Sequence, residues 1–154
     1  MKIILQQDEI AVCQMIGRMR SLIARSSGVK DAKIGDQDGA EADVIGMMAE
    51  YAFAKQFNVF PDLGLSPRSG SADGVIKDKR YDIKSTTYKT GKLLCTTKDN
   101  PDVDVYILAI VSGNEVNIVG WEYKDNLRKE ENLIDLGHGK GYALTQDKLQ
   151  KFKS

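Results

Sequence analysis

The sequence predicts an α/β protein with a central mixed β-sheet flanked by helices. In the first third of the chain, apolar residues recur every three or four positions, which is typical of amphipathic helices. Between Asp73 and Trp121 the pattern changes to alternation and then to one nearly continuous apolar run, which is typical of strands. The chain has 154 residues and no Pro/Gly/Ser-rich linker, so we expect one domain over residues 1–154.

Two long helices are expected before the sheet. The first covers residues 8–26, with acids at its start and arginines near its end, and its inward-facing residues are Ile10, Cys13, Ile16, Met19 and Ile23. The second runs from about Ala40 to Phe57, and its inward-facing residues are Val44, Met48, Tyr51 and Ala52. Residues 28–39 are predicted to form a polar loop, and residues 60–70, with two prolines and two glycines, an irregular segment.

The strands are predicted from residue 74 onward. Residues 74–76 and 80–86 form a hairpin around the turn at residues 77–79, and residues 103–111 are apolar enough to be covered on both faces. Residues 116–121 are the hairpin partner of that buried strand. A polar helix near residues 124–131, a glycine-rich loop at 137–141 and a short helix after Thr145 complete the prediction.

Composition limits the function classes. The hydrophobic fraction is 42%, and no apolar run approaches the roughly 20 residues of a membrane span. The first residues become polar too soon for a secretory signal, and two cysteines cannot form a disulfide framework, so we expect a cytoplasmic protein of a bacterial or phage-infected cell. The net charge of zero disfavours a broadly basic nucleic-acid binder. However, residues 68–98 carry eight basic and three acidic residues, a local charge of +5 against −5 elsewhere.

One strand carries the residues with chemical potential. In residues 80–86, Tyr81 and Ile83 are expected to face the core, while the opposite face presents Asp82, Lys84, Thr86 and the following Tyr88. The hairpin should place the carboxylate of Asp73 beside that of Asp82, and adjacent carboxylates repel unless a divalent cation lies between them. Hard oxygen ligands without a His or Cys cluster favour Mg²⁺ or Mn²⁺ over Zn²⁺. On spacing alone, an ordinary ion pair on a solvated strand face is the alternative.

Together with a second motif, this pattern resembles a nuclease family. Asp73 followed by Asp82-Ile83-Lys84 is similar to the D…(D/E)xK motif of the PD-(D/E)XK nuclease superfamily, and residues 46–54 resemble the G-x-x-x-E-x-A-x-A helix that precedes it in many members. The resemblance covers roughly residues 40–121. It implies a restriction-endonuclease-like core, metal ligands from Glu50, Asp73, Asp82 and the carbonyl of Ile83, and Lys84 as the catalytic lysine.

The sequence also departs from the family pattern. Ala72 precedes Asp73, where the family name has proline. The literal Pro-Asp pair at 61–62 lies in an irregular segment, and the pair at 101–102 follows the motif instead of preceding it, so neither pair is assigned to the site. Glu50 has a second interpretation as a carboxylate at the edge of the apolar stripe of its helix.

The resemblance implies a Mg²⁺-dependent DNA endonuclease, with Mn²⁺ as a substitute. No glutamine lies between Gln56 and Gln146, so the Q-x-x-x-Y element of processive exonucleases in this superfamily is absent. The size of the chain is similar to that of small phage or mobile-element nucleases of homing, junction-resolving or restriction-like type. Candidate DNA contacts are Arg68, Thr86, Lys89 and Lys92, for which solvated loop side chains are the alternative. Double-strand cutting would require a homodimer or higher oligomer. The first helix is a candidate for the interface, and packing on its own sheet is the alternative that its inward-facing residues favour. The competing hypothesis is a non-catalytic DNA-binding or assembly module on the same fold.

Overall fold

The computed structural model describes residues 1–26, 39–65 and 71–153. The helices are α1 (Gln7–Ser26), α2 (Gly39–Phe57) and α3 (Lys124–Leu127), with 3₁₀ turns at Glu130–Asn132 and Gln146–Lys148. The strands are β1 (Lys2–Ile4), β2 (Gly74–Ile76), β3 (Lys79–Thr86), β4 (Leu93–Thr96), β5 (Val105–Ser112), β6 (Glu115–Tyr123), β7 (Leu133–Asp135) and β8 (Lys140–Leu144). The predicted helix bounds for α1 and α2 are therefore confirmed to within about one residue.

The strands form two sheets. The larger has the order β1-β6-β5-β3-β2, in which β3 and β5 are parallel and the other neighbours are antiparallel. The mixed sheet and its two hairpins were predicted, and β1 at its edge was not. The smaller sheet, β4-β8-β7, was not predicted either.

Both long helices cover one face of the larger sheet. Cys13 and Ile16 of α1 and Met47, Ala52 and Phe53 of α2 are buried with the inward side chains of the sheet. The two helices approach closely at Gly17, where an added Cβ would lie 2.7 Å from the backbone of Val44. A side chain at position 17 would therefore push the helices apart.

The opposite face is covered by the smaller sheet together with the short helix α3, so the predicted arrangement of helices around a mixed sheet is present, but on this face most of the cover comes from strands. The chain passes from β3 to its parallel neighbour β5 through residues 87–104, and this crossover carries strand β4 instead of a helix. A second apolar cluster fills this layer, with Leu93, Leu108 and Leu127 among its members. Seven of the eight residues of β5 are buried, which confirms that this strand is covered on both faces.

Several local predictions need correction. Met19, expected to face inward, is 39% exposed. The polar helix ends at Leu127 and is followed by a 3₁₀ turn, and the second half of the predicted glycine-rich loop belongs to β8. The 28–39 loop lies outside the described residues except for Gly39, where α2 begins.

The two cysteines belong to different layers. Cys13 is buried on the helix side of the sheet and Cys95 on the opposite side, and both are free thiols. Among the described residues, no helix combines the length and the apolar character needed to cross a membrane.

Candidate metal and nucleic-acid site

The candidate site is built on the β2–β3 hairpin. Its two-residue turn, Lys77 and Asp78, has positive φ angles of 47° and 63°, as in the turns that match the twist of a tight hairpin. Gly74 pairs with Tyr81, and the backbone N–H of Asp73 donates to the Tyr81 carbonyl at 2.8 Å. This register places Asp73 beside the Asp82-Ile83-Lys84 segment, as the sequence predicted.

Asp73 occupies the position where β2 no longer pairs with β3. One carboxylate oxygen, Oδ2, accepts a hydrogen bond from the N–H of Ile83 at 2.7 Å. The N–H and C=O of a strand residue point to the same side, so the Ile83 carbonyl is directed to the side of the strand on which Asp73 lies. The Ile83 side chain itself is buried in the helix-side core, together with Tyr81.

Asp82 is an ionisable group in a buried setting. Its side chain is 17% exposed, and burial raises its pKa to about 6. The nearby Lys84, whose Nζ lies 3.0 Å from Oδ2, opposes that rise, whereas the charge of Asp73 and a carboxyl–carboxyl hydrogen bond with Asp73 add to it. The two carboxyl groups are thus neighbours, and bringing both into the ionised form is costly.

Tyr106 closes the site from β5. It is the register partner of Asp82, and the ammonium group of Lys84 lies 5.7 Å from the centre of its ring. Burial, followed by the negative charge of Asp82, raises the pKa of Tyr106 to about 12. The phenol is therefore neutral at physiological pH, and the ring gives Lys84 a cation–π contact on one side.

Asp82 and Lys84 open into a cleft between the two sheets. The cleft has a volume of about 1190 Å³, and its walls include Thr86, Tyr88 and Lys92. Asp82, Lys84, Thr86 and Tyr88, which the alternation predicts on one face, thus all line this cleft, and Ser85 lines it as well. Tyr88 is 62% exposed and presents an aromatic ring to the cleft.

The acids and bases that line the cleft are not equivalent. Asp99 is paired with Lys124 at 3.2 Å and lies 3.9 Å from Arg128, and Asp102 lies 3.9 Å from Arg80. These cations balance the acids from outside the cleft wall. The cleft lysines Lys92 and Lys98 form no ion pair with any other residue in the part of the chain described. Their positive charges are therefore available to an anionic ligand.

Two side chains hold the rims of the cleft. Gln146 donates through Nε2 to the carbonyls of Lys89 at 2.8 Å and Gly91 at 2.9 Å. Arg128 donates to the carbonyls of Thr96 and Thr97, each at 2.8 Å. Both rims are thus fixed by long-range hydrogen bonds from the second layer. Lys98 and these two positioning side chains were missed as site residues because the smaller sheet was not predicted. The only sequence signal for it was the short alternation of Leu93 and Cys95.

Glu50 forms an ion pair with Arg20. Its Oε2 accepts a hydrogen bond from Nη1 of Arg20 at 3.2 Å, and the pair is mostly shielded from solvent. Arg20 also donates to the carbonyls of Asp62 and Gly64, each at 2.7 Å, so it fastens the segment after α2 to the helices. Burial, with contributions from Asp73 and Glu50, raises the pKa of Tyr81 to about 12. Glu50 therefore lies on the helix side of the same corner of the sheet.

The other predicted DNA contacts are distributed unevenly. The hydroxyl of Thr86 accepts a hydrogen bond from the N–H of Tyr88 at 3.1 Å, so it shapes the turn as well as lining the cleft. Lys92 lies in the cleft wall, whereas Lys89 is exposed at its rim and does not line it. Arg68 lies outside the described residues.

The donor set has the chemistry expected for a magnesium site. Mg²⁺ is commonly held by one or two carboxylates while it keeps several waters, and Asp73, Asp82 and the Ile83 carbonyl provide hard oxygen atoms at one corner of the sheet. Within residues 1–26, 39–65 and 71–153, no three His, Cys, Asp or Glu side chains form a group close enough to hold a metal ion. The structure thus brings Asp73, Asp82 and Lys84 together but does not bring Glu50 into a common ligand cluster with them.

Comparisons with protein-family models, curated proteins and solved structures give no significant match for this chain.

Proposed function

We propose that this protein is a divalent-metal-dependent DNA endonuclease of the PD-(D/E)XK type, with a restriction-endonuclease-like core and a cytoplasmic site of action. The observation that carries the proposal is the pair of neighbouring carboxyls, Asp73 and Asp82, with Lys84 next to them at the wall of an open cleft. Burying such a pair is unfavourable without a cation, and the cleft is large enough to admit a polymer.

Each residue has a defined role in the proposal. Asp73, Asp82 and the Ile83 carbonyl would hold Mg²⁺ or Mn²⁺, which would act as a Lewis acid on the phosphate and lower the pKa of a bound water. Lys84 places a positive charge where negative charge develops on the phosphate, and its contact with Tyr106 limits the directions in which its ammonium can point. Lys92 and Lys98 would contact flanking phosphates.

The test is cleavage of supercoiled, linear, branched and single-stranded DNA, and of RNA, with Mg²⁺, Mn²⁺ or EDTA. We expect metal-dependent DNA cleavage that falls at least about a hundredfold in Asp82→Asn and in Lys84→Ala. Lys153→Ala is the matched control. Its neighbour Phe152 packs against Phe53 and Phe57 on the helix side of the sheet, away from the cleft. Intact metal-dependent cleavage in both site variants would refute the assignment.

The contact between Glu50 and Arg20 favours one competing function, a DNA-binding or assembly module without catalysis. In that case the wild type binds DNA but does not cleave it with any metal, and Lys92→Ala and Lys98→Ala weaken binding while Asp82→Asn does not. In the nuclease case, Asp82→Asn abolishes cleavage and leaves metal-free DNA binding equal or tighter, because a negative charge has been removed from the cleft.

A further inference from the structure

Helix α1 has a second apolar surface, on which four side chains are exposed in the part of the chain that the structure describes. Val12, Met15, Met19 and Leu22 are 38%, 66%, 39% and 61% exposed, respectively. In a helix that turns about 100° per residue, these four positions lie on the side of α1 roughly opposite Cys13 and Gly17, which pack toward α2. We refer to Val12, Met15, Met19 and Leu22 as the outer stripe.

The spacing of the outer stripe is that of a helix–helix contact. Its residues are separated by three, four and three positions, and the same alternation continues to Asp8 on one side and Ser26 on the other. Alternating steps of three and four make a seven-residue repeat, which aligns one helix with another along a narrow apolar seam. A helix exposed to water on this side would need no such repeat.

The stripe is also complementary to itself when reversed. An antiparallel copy centred on Gly17 places Met15 against Met19 of the second copy and Val12 against Leu22 of the second copy. The ends of the helix are oppositely charged, with Asp8 in the first turn and Arg25 in the last turn. In this arrangement Asp8 of each copy lies near the level of Arg25 of the other, and the two helix dipoles are antiparallel. In the single chain the Arg25 guanidinium donates to Ser21 of its own helix at 2.8 Å, so it would turn outward to pair across the contact. In a parallel arrangement each charge would meet its own kind.

We propose that the outer stripe of α1 is the contact surface of a homodimer in which two copies of this helix pack antiparallel. The inference does not depend on nuclease activity, since it uses no residue of the cleft. Because α1 lies on the helix-covered face of the sheet and the cleft on the opposite face, both clefts of the dimer stay open. A single-helix contact is small by the standard of stable interfaces, so we expect a dissociation constant in the micromolar range.

The first test is the mass of the full chain in solution as a function of concentration, measured by sedimentation equilibrium. We expect a rise from the chain mass of 17.1 kDa toward twice that value, and at least a tenfold weaker association in Met15→Glu. Phe60→Glu is the control, because Phe60 is 87% exposed but does not belong to α1. A wild type that stays monomeric at several hundred micromolar, or a Met15→Glu variant that dimerises normally, would overturn the proposal.

The charged ends provide a second test that separates dimerisation from helix stability. Asp8→Arg and Arg25→Glu should each weaken association about threefold to tenfold, and the double variant should restore it. Each substitution is unfavourable to the dipole of α1, so an effect on helix stability alone would make the double variant the weakest of the three. That order would refute the antiparallel contact, and circular dichroism of each variant would measure the helix content.

Disulfide trapping tests the direction of packing. A mixture of Met15→Cys and Met19→Cys chains should form the mixed disulfide faster than either single variant forms its own. Faster self-linking of Met15→Cys would indicate a parallel contact and would contradict the proposed arrangement.

Discussion

The largely shielded carboxyl of Asp82 leads to a prediction about the pH dependence of stability, which can be measured without any nuclease assay. Its pKa rises from an ordinary value of 3.8 to about 6 because of burial, with Lys84 opposing and Asp73 adding to the shift. At about 1.4 kcal/mol per tenfold change in a dissociation constant, the ionised form is disfavoured in the folded state by about 3 kcal/mol. Asp82→Asn keeps the size and polarity of the side chain and removes the charge.

The sign of the pH dependence follows from the direction of that shift. Between about pH 4 and pH 6 the folded state holds a proton on Asp82 that the unfolded state has lost, so stability falls as the pH rises through this window. Above it the full penalty applies. We therefore expect Asp82→Asn to be more stable than the wild type by roughly 1–3 kcal/mol at pH 8, and the difference to shrink toward zero near pH 4.

The assay is urea denaturation of both proteins from pH 4 to pH 8 in EDTA. Hydrogen bonds from Arg80 hold the pKa of Asp104 well below its usual range, and such contributions cancel in the difference between the two proteins. The same substitution at Asp102, which is 59% exposed, is the control and should change stability by less than about 0.5 kcal/mol. A pH-independent difference, or an Asp82→Asn protein less stable at pH 8, would refute the reasoning.

Divalent metal gives the same experiment a second readout. If Asp73 and Asp82 hold Mg²⁺ or Mn²⁺, a hundredfold excess over the dissociation constant should stabilise the wild type by about 2.7 kcal/mol and leave Asp82→Asn unchanged. Equal metal effects on the two proteins would place the binding site elsewhere.

Three further predictions concern the framework that holds the site. Gly17→Ala should lower the free energy of unfolding by roughly 1–3 kcal/mol, because the added Cβ would lie 2.7 Å from the backbone of α2. Gly46→Ala, whose Cβ would lie 3.9 Å from the nearest atom, should be neutral or stabilising by up to about 1 kcal/mol. Thermal denaturation of both variants measures the difference, and equal effects would contradict it. Replacing Lys77 by Asn and Asp78 by Gly should raise the free energy of unfolding by roughly 0.5–1.5 kcal/mol, because both positions have positive φ, which Asn and Gly adopt more easily. Urea denaturation measures the change, and a loss of stability would argue against this turn geometry. Glu122→Ala should lower the free energy of unfolding by roughly 2–4 kcal/mol, because three hydrogen-bond donors, from β6, α3 and the C-terminal segment, lose their shared acceptor. An unchanged denaturation midpoint would show that water replaces this acceptor.

The elements with a long, regular pattern could be predicted from the sequence. Helices α1 and α2 each repeat their apolar residues over about five turns, and β5 is apolar throughout, so periodicity alone locates them. The hairpin of β2 and β3 was also predictable, because alternation along a strand fixes which side chains share a face. Its turn is one residue shorter than predicted, since Lys79 belongs to β3.

The smaller sheet could not be predicted from local pattern. Its strands have three to five residues. β4 pairs with a strand far away in the sequence, as Leu93 does with Leu144, and only β7 and β8 form a local hairpin. Short strands of this kind are specified by tertiary burial and not by their own propensity. The cleft inherits this limit, because one of its walls is that sheet.

The inward face of α1 is ambiguous in the sequence for a different reason. The helix has two apolar faces, and Met19, expected on the inward one, belongs to the exposed one. Gly17 marks the true inward side, because only a residue without a side chain permits the close approach to α2. A glycine within an otherwise regular helix can therefore identify the buried face when apolar residues alone are ambiguous.

Two unfavourable features of the fold meet on one hairpin, and their coincidence is a physical reason to assign a function there. Two non-glycine residues of the turn, Lys77 and Asp78, adopt left-handed conformations. Next to the last residue pair of this hairpin, Asp73 and Asp82 bring two carboxyls together in a shielded position. An apolar residue at position 82 would remove the electrostatic cost, and the facing Tyr106 and Leu108 would provide apolar neighbours for it. A position that is unfavourable for folding and faces an open cleft is one where ligand binding can offset the cost. The stability of Asp82→Asn in EDTA and in Mg²⁺ measures both sides of that balance in a single protein.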